Sequence, residues 1–214
     1  MRRIILPFAL ALSLVAAAAD AAVTTQDAEG RYLALLAAAK ASAPNANWGE
    51  LRLAYADRPN FKVFTQSAAR REMLEAANVG NCAQALQSAR AVIAEAYVDA
   101  DAHLVAAYCE EAAGSPVAAK LDRDIGAGLL ESIKTGDGFS PATAFTVIDV
   151  DEEYALTRAL GLKVASQTLL QQGGHSYDVL QATNDKGQRA TYYFLVDRVL
   201  AAEAAVTTMG KSAP

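Results

Sequence analysis

Between Val23 and Lys134, apolar residues recur at spacings of three and four among abundant alanine, the period of amphipathic helices. The pattern predicts a helix over about residues 26–41, with Tyr32, Leu35, Leu36 and Ala39 on one face, broken at Ser42-Ala43-Pro44-Asn45. A short helix follows from Trp48, capped by Asn47, with Trp48, Leu51 and Tyr55 on one stripe. Asp57-Arg58-Pro59-Asn60 ends it, and Phe61, Val63 and Phe64 are expected to fold back onto the core. Four more helices are predicted over about residues 66–79, 81–96, 101–113 and 115–133.

Past Lys134 the texture changes. Gly136-Asp137-Gly138 and Ser140-Pro141 read as turns, and residues 144–150 as a nearly continuous apolar strand, the pattern of a central one. Asp151 is expected to cap a short helix over residues 152–160, closed by Gly161. Strands are predicted over about residues 162–171, 175–182 and 188–196, joined by hairpin turns at Gly173-Gly174 and Asn184-Asp185-Lys186-Gly187. Tyr177 and Val179, and Tyr192 and Phe194, alternate with polar neighbours, as in a sheet covered on one face by the helices. Beyond Arg198 an alanine-rich tail predicts a last helix that frays near Lys211.

The helical part carries a repeat. Gly80-Asn81-Cys82-Ala83-Gln84-Ala85 is matched by Gly114-Ser115-Pro116-Val117-Ala118-Ala119 at an offset of 34 residues. Gly can end a helix, Asn81 or Ser115 can cap the next, Pro116 suits a first turn, and Ala85 or Ala119 lets paired helices approach. That period and those small residues are the tetratricopeptide signature. Two positions depart from it: Tyr97 stands where a Pro is usual, and Met73 where a small residue is. The expected fold class is α+β: tetratricopeptide-like helical pairs over residues 22–134, packed on a small, mostly antiparallel sheet over residues 135–214, as one unit.

The N-terminus reads as an address. Arg2 and Arg3 precede an uncharged stretch from Ile4 to Ala19, too short for a comfortable membrane span. Ala19-Asp20-Ala21 fits a signal-peptidase site, so residues 1–21 are expected to be a signal peptide. No cysteine near the cut suggests a lipid anchor, and no later run spans a bilayer. The expected location is the periplasm or the medium. Composition narrows the function classes. With 53% hydrophobic residues the chain is not intrinsically disordered, and a formal charge of −5 disfavours a nucleic-acid partner. Two cysteines and two histidines cannot build a Cys-rich finger or a three-His metal site.

Several segments together resemble a known family. They are Leu51-Arg52-Leu53-Ala54-Tyr55-Ala56 with Pro59, Tyr97-Val98-Asp99-Ala100-Asp101-Ala102-His103, and Gly136-Asp137-Gly138-Phe139-Ser140-Pro141. Glu152-Glu153-Tyr154 through Arg158-Ala159-Leu160-Gly161-Leu162 and Gly174-His175-Ser176-Tyr177-Asp178-Val179 complete the set. The chain is similar, over about residues 48–196, to the bacterial domain-of-unknown-function family 4919. The resemblance implies an exported protein with helical repeats in front and a small sheet behind, and implies no activity. The chain departs from the pattern at Arg123-Asp124, where a His is expected, and at residues 199–205, where an aromatic and proline ending is expected.

Cys82 and Cys109 sit on apolar stripes of two helices expected to be antiparallel about residues 97–100, at similar height. They are placed either for a disulfide, which an oxidising compartment favours, or as two buried thiols. His175 flanks a turn; strand alternation points it away from Ser176, so the two do not form a nucleophile–base pair. His103 reads as packing or capping material. Asp149, Asp151, Glu152 and Glu153 cluster where a strand meets a helix; their simplest role is capping and helix-dipole compensation. No cofactor motif is present. A contact face drawn from the first helix of each pair would use Arg70, Leu74, Asp101, Leu104, Tyr108 and Glu111. The favoured function is a periplasmic protein-interaction or structural module without catalysis, with a protein or peptide partner. The alternative is a small hydrolase or metal-dependent enzyme using His175 with the cluster Asp149–Glu153.

Overall fold

The chain begins its described course in a helix. A computed structural model describes residues 13–59, 61, 63 and 67–211, with side chains from residue 26 to residue 205 apart from residue 44. The expected signal peptide lies partly outside the described residues. From Ser13 the chain is helical as far as Ala41 (α1, Ser13–Ala41). The expected inward fold of Phe64 also lies outside them, whereas Val63 is buried and Phe61 packs edge-on to Tyr55 at 5.6 Å. No helix among the described residues is long and apolar enough to cross a membrane.

The next helices follow their caps. In α2 (Trp48–Ala56) the Asn47 side chain accepts from Glu50 N–H. In α3 (Ala68–Asn78) Ser67 accepts from Arg70 N–H, and in α4 (Cys82–Glu95) Asn81 accepts from Gln84 N–H. In α5 (Ala100–Ala112) Asp99 accepts from Ala102 N–H. The last of this group, α6 (Pro116–Ile133), starts on Pro116, but Ser115 makes no capping bond with its side chain, contrary to expectation. Each such bond satisfies an amide that the helix leaves without a partner.

The 34-residue offset is visible in the backbone. Gly80 and Gly114 have φ of +73° and +75°, a region that costs other residues 1 kcal/mol or so. Asn81 N–H reaches Ala76 C=O and Gly80 N–H reaches Ala77 C=O; Ser115 N–H reaches Glu110 C=O and Gly114 N–H reaches Glu111 C=O. The same helix-ending motif thus closes α3 and α5, and α4 and α6 pack back on them. Ala85, Ala89, Ala102, Ala106 and Ala119 are fully buried, so the helices meet through small side chains. Gly128 of α6 serves the same end, because a Cβ there would run into the Trp48 indole.

The second part differs from its prediction at its start. The strand expected over residues 144–150 is only β1 (Phe145–Thr146), parallel to its neighbour and at a sheet edge. Val147 N–H still reaches Leu195 C=O, but Ile148 N–H turns to the Glu152 carboxylate and Asp149 ends the extended run as an N-cap. Val147 and Ile148 are apolar because helices cover them, not because they lie mid-sheet. The cap of α7 (Val150–Ala159) is therefore Asp149, which accepts from Asp151 N–H at 2.8 Å, and not Asp151.

Three antiparallel strands follow: β2 (Lys163–Gln172), β3 (His175–Thr183) and β4 (Arg189–Leu195). The sheet order is β1-β4-β3-β2. The register pairs Leu180 with Tyr192 and with Gln167, and Asp178 with Phe194 and with Leu169. Tyr192 and Phe194 share the Leu180 face, while Tyr177 and Val179 point to the opposite one, so the two pairs do not line a common face. Phe194, Leu180, Ala155 and Leu156 join Leu51, Leu129 and Ile133 in one core. The chain ends in α8 (Asp197–Lys211), which lies against β3. Helices followed by a mixed sheet make this an α+β fold.

Candidate functional site

Buried charge is concentrated where the helices meet α7 and the sheet. Arg52 of α2 is 1% exposed. It donates through Nε and Nη2 to both oxygens of Glu152 at 2.8 and 2.6 Å, through Nη1 to Ser132 Oγ at 3.2 Å and through Nη2 to Thr146 C=O at 3.0 Å. Glu152 also accepts Ile148 N–H at 2.9 Å. A bidentate pair with its remaining groups bonded is the arrangement in which a buried ion pair holds.

Arg70 forms a second knot. It meets Asp99 at 2.9 Å, Asp101 at 2.6 Å and Asp151 at 2.7 Å, and Arg158 meets Asp101 at 2.7 Å. Three carboxylates from α5, its cap and α7 surround two guanidinium groups. Burial pushes Asp99 up to about 6, against the opposing pull of Arg70. Two of the six residues predicted for a contact face, Arg70 and Asp101, are thus buried in this knot. Leu74 and Leu104 are half-buried, whereas Tyr108, at 68% exposure, and Glu111 stand open. Glu111 meets the exposed Arg123 at 3.1 Å.

His103 is packing material, as its pattern suggested. Its Nδ1 lies 2.6 Å from Asp122 and its Nε2 3.0 Å from Tyr97 C=O. Arg90 meets Asp122 at 2.7 Å and also Glu110. Burial would raise Asp122, but the bonds from His103 and Arg90 outweigh it and hold the carboxyl below its usual value. Beside this knot Cys82 and Cys109 are joined in a disulfide with Cα atoms 5.0 Å apart, tying α4 to α5.

The acidic cluster divides its work. Asp149 caps α7, Asp151 faces Arg70 and Glu152 faces Arg52. Glu153 is different: it is fully buried and one of its oxygens has no hydrogen-bond partner. Burial and then the neighbouring Asp178 carboxylate push it up to about 9, so it holds its proton at neutral pH. Gln167 donates to Asp178 at 2.5 Å and to Glu153 at 3.4 Å, and accepts from Tyr154 Oη at 2.5 Å.

His175 does not join that cluster. Three residues along β3 from Asp178, it lies on the other face of the strand. Its partner is Asp197, at 2.6 Å from Nδ1, and Ser176 N–H donates to the same carboxylate at 2.7 Å. Sequence reasoning missed Asp197, because nothing local links a hairpin turn to the start of α8. It also missed Arg52 as the partner of Glu152, at a separation of 100 residues. Among the described residues no group of three His, Cys, Asp or Glu side chains is placed to hold a metal ion. An open hollow of about 540 Å³ between α2 and α6 is lined by Asn47, Trp48, Gly128, Asp124 and Glu131.

Comparison with curated proteins and with solved structures finds no match. Residues 36–205, which span every described element from the end of α1 into α8, match a family of proteins. The chain belongs to the family described as Domain of unknown function (DUF4919).

Proposed function

We propose that this protein is an exported protein-interaction or structural module built on tetratricopeptide-like helical pairs, with no reaction of its own. The observation that carries this reading is where the ionisable side chains spend their bonds. Arg52, Arg70, His103 and Arg90 each bind carboxylates of another element, so the chemistry of the interior joins helix to helix and helix to sheet. What faces outward on the repeat is a different set: Tyr108 and Glu111 on α5, with exposed Val117 and Leu121 on α6. An exposed aromatic, two exposed apolar side chains and a carboxylate on adjoining helices suit a protein or peptide partner. Arg70 and Asp101 serve that face from beneath, by fixing α3 against α5. The disulfide supports an oxidising compartment, and Arg2, Arg3 and Ala19-Asp20-Ala21 support export.

Two measurements test the reading. Fractionation of expressing cells should find the protein outside the cytoplasm, lacking residues 1–21; retention inside, uncut, overturns the export. A photo-crosslinker at position 108 should give one discrete adduct with an envelope protein, weakened by Glu111→Lys. The absence of any adduct, or one indifferent to Glu111→Lys, overturns the contact face.

A further inference from the structure

Strand β2 is ten residues long and among the described residues pairs with β3 alone, which leaves its outer edge open. Natural proteins blunt such an edge with charges, prolines or bulges. In β2 both devices sit at one end: Lys163 is its one charged residue, and the bulge falls between Val164 and Ser166. The remaining stretch, Ser166-Gln167-Thr168-Leu169-Leu170-Gln171-Gln172, has no charge, proline or glycine. Leu169, at its midpoint, is 54% exposed.

The backbone decides which groups face out. Ser176 directs its C=O to Val196 and its N–H to Asp197, on the β4 side of β3. Its neighbours His175 and Tyr177 therefore turn their backbone groups toward β2, where they pair with Gln172 and Leu170. By alternation Gln171, Leu169 and Gln167 present their N–H and C=O groups to the open edge.

We infer that this edge binds a second copy of the same chain, β2 against β2 and antiparallel, with Leu169 on the two-fold axis. It goes beyond the interaction reading above and does not use the helical face. In this register Gln167 of each copy faces Gln171 of the other, Leu169 faces Leu169, Thr168 faces Leu170 and Ser166 faces Gln172. All three outward residues pair on both sides, and the outward amides and carbonyls are satisfied. Displacing the register by two residues either way loses one of those pairings, to the bulge or to the Gly173-Gly174 turn. Lys163 and the bulge fall past the end of the partner strand, so neither opposes the contact. An isologous contact needs a self-complementary surface, and amide on amide with leucine on leucine provides one. A foreign strand would gain the backbone bonds but not this matching. The contact joins two negatively charged chains through an uncharged seam, which makes it weak and strengthened by salt.

Sedimentation of the purified protein from micromolar to near-millimolar concentration tests the inference. The wild type should pass from monomer to dimer, and Leu169→Lys, which sets two ammonium groups face to face, should shift the midpoint at least tenfold while the circular dichroism stays the same. Leu169→Cys should give a covalent dimer under mild oxidation, since paired Cα atoms about 5.5 Å apart suit a disulfide. A monomer at all concentrations, or a dimer unmoved by Leu169→Lys and not cross-linked in the Leu169→Cys variant, overturns it. Protection of β2 from hydrogen exchange only when an envelope extract is added would assign the edge to a foreign strand and also overturn it. Neither result bears on the crosslink from position 108.

Discussion

The helical half and the sheet half are held together by different means. Between α3, α4 and α5 the interior is mostly alanine, with Met73 and Val92, ion pairs and one disulfide; carboxylates there lie against Arg70 or Arg90. In the sheet half Phe145 and Phe194 stand in the core with half-buried Tyr192 in ring contact, and buried Glu153 lies beside half-buried Asp178 with no cation against either among the described residues. Small side chains bury little apolar area each, so helices built from them draw on directional bonds. Large rings supply area without such bonds, which leaves the sheet free to hold a neutral acid and an open edge.

The comparison breaks most sharply at Arg52, which with Arg70 and Arg158 joins the halves. Arg52→Ala leaves Glu152 buried without its partner and should cost about 3–5 kcal/mol, read as a lower midpoint in urea. Replacing Arg52 and Glu152 together with Met and Leu should recover most of that loss, because a buried pair and an apolar pair of similar volume are often nearly equivalent. If Arg52→Ala lost under 1 kcal/mol, the halves would not depend on this bond. Next in size is the disulfide. With its ends 27 positions apart in sequence, Cys82→Ala with Cys109→Ala should cost about 3 kcal/mol through the entropy of the unfolded chain. Near-ultraviolet dichroism, dominated by aromatic residues outside α4 and α5, should melt at the same lowered midpoint as the helical signal. Separate midpoints would show two units rather than one.

The two halves also differ in how far their sequences disclose them. Helix ends in the first half are written locally: Asn47, Ser67, Asn81 and Asp99 each cap within three residues, and the Gly80 and Gly114 turns repeat. The two antiparallel stripes placed both cysteines at similar height, which left a disulfide or two buried thiols open until the structure joined them. The hairpins at Gly173-Gly174 and near Gly187 were equally local. What was not legible depended on distant partners. Val147 and Ile148 have the same apolar run as a central strand, and only the helices packed over them and the turn at Asp149 show that the strand stops at Thr146. Arg70 and Asp101 carry the helical spacing of an outward stripe, yet Asp151 and Arg158 of α7 draw them inside. Periodicity reports which residues share a face; it does not report what that face meets.

Glu153 sharpens the comparison through pH. Folded Glu153 keeps its proton to about pH 9, while in the unfolded chain it releases it near its ordinary 4.5. Between those values the folded state binds more protons, so its stability falls as pH rises through the window. Asp99, raised from 3.8 to about 6, acts in the same sense over a narrower range. Asp122 and Asp197 are held low, so their contribution is present at neutral pH and is lost only as pH falls below their ordinary value of 3.8. Stability should therefore be greater near pH 5 than near pH 8. Glu153→Gln should gain stability near pH 8 and flatten the profile above pH 6, where Asp99 is already charged. A wild-type profile that rises from pH 5 to pH 8 would place the Glu153 proton in solvent instead.

The smallest effect separates the two turns of the repeat from each other. Asn81 and Ser115 occupy equivalent places, one residue after a left-handed glycine. Asn81 bonds Gln84 N–H at 3.3 Å, whereas the Ser115 side chain makes no capping bond and α6 instead starts on Pro116. Asn81→Ala should cost about 1 kcal/mol, the usual value for an N-cap, and Ser115→Ala only a few tenths. The difference follows from what proline does in a first turn: it removes one amide that would need a partner and fixes φ near −65° in advance, so the cap there has less to satisfy. Pro116→Ala alone should thus destabilise α6 slightly, and Ser115→Ala made on that background should cost no less than in the wild type. Equal losses for Asn81→Ala and Ser115→Ala in thermal melts would mean that the two turns, so alike in their backbone bonds, are also started by the same device.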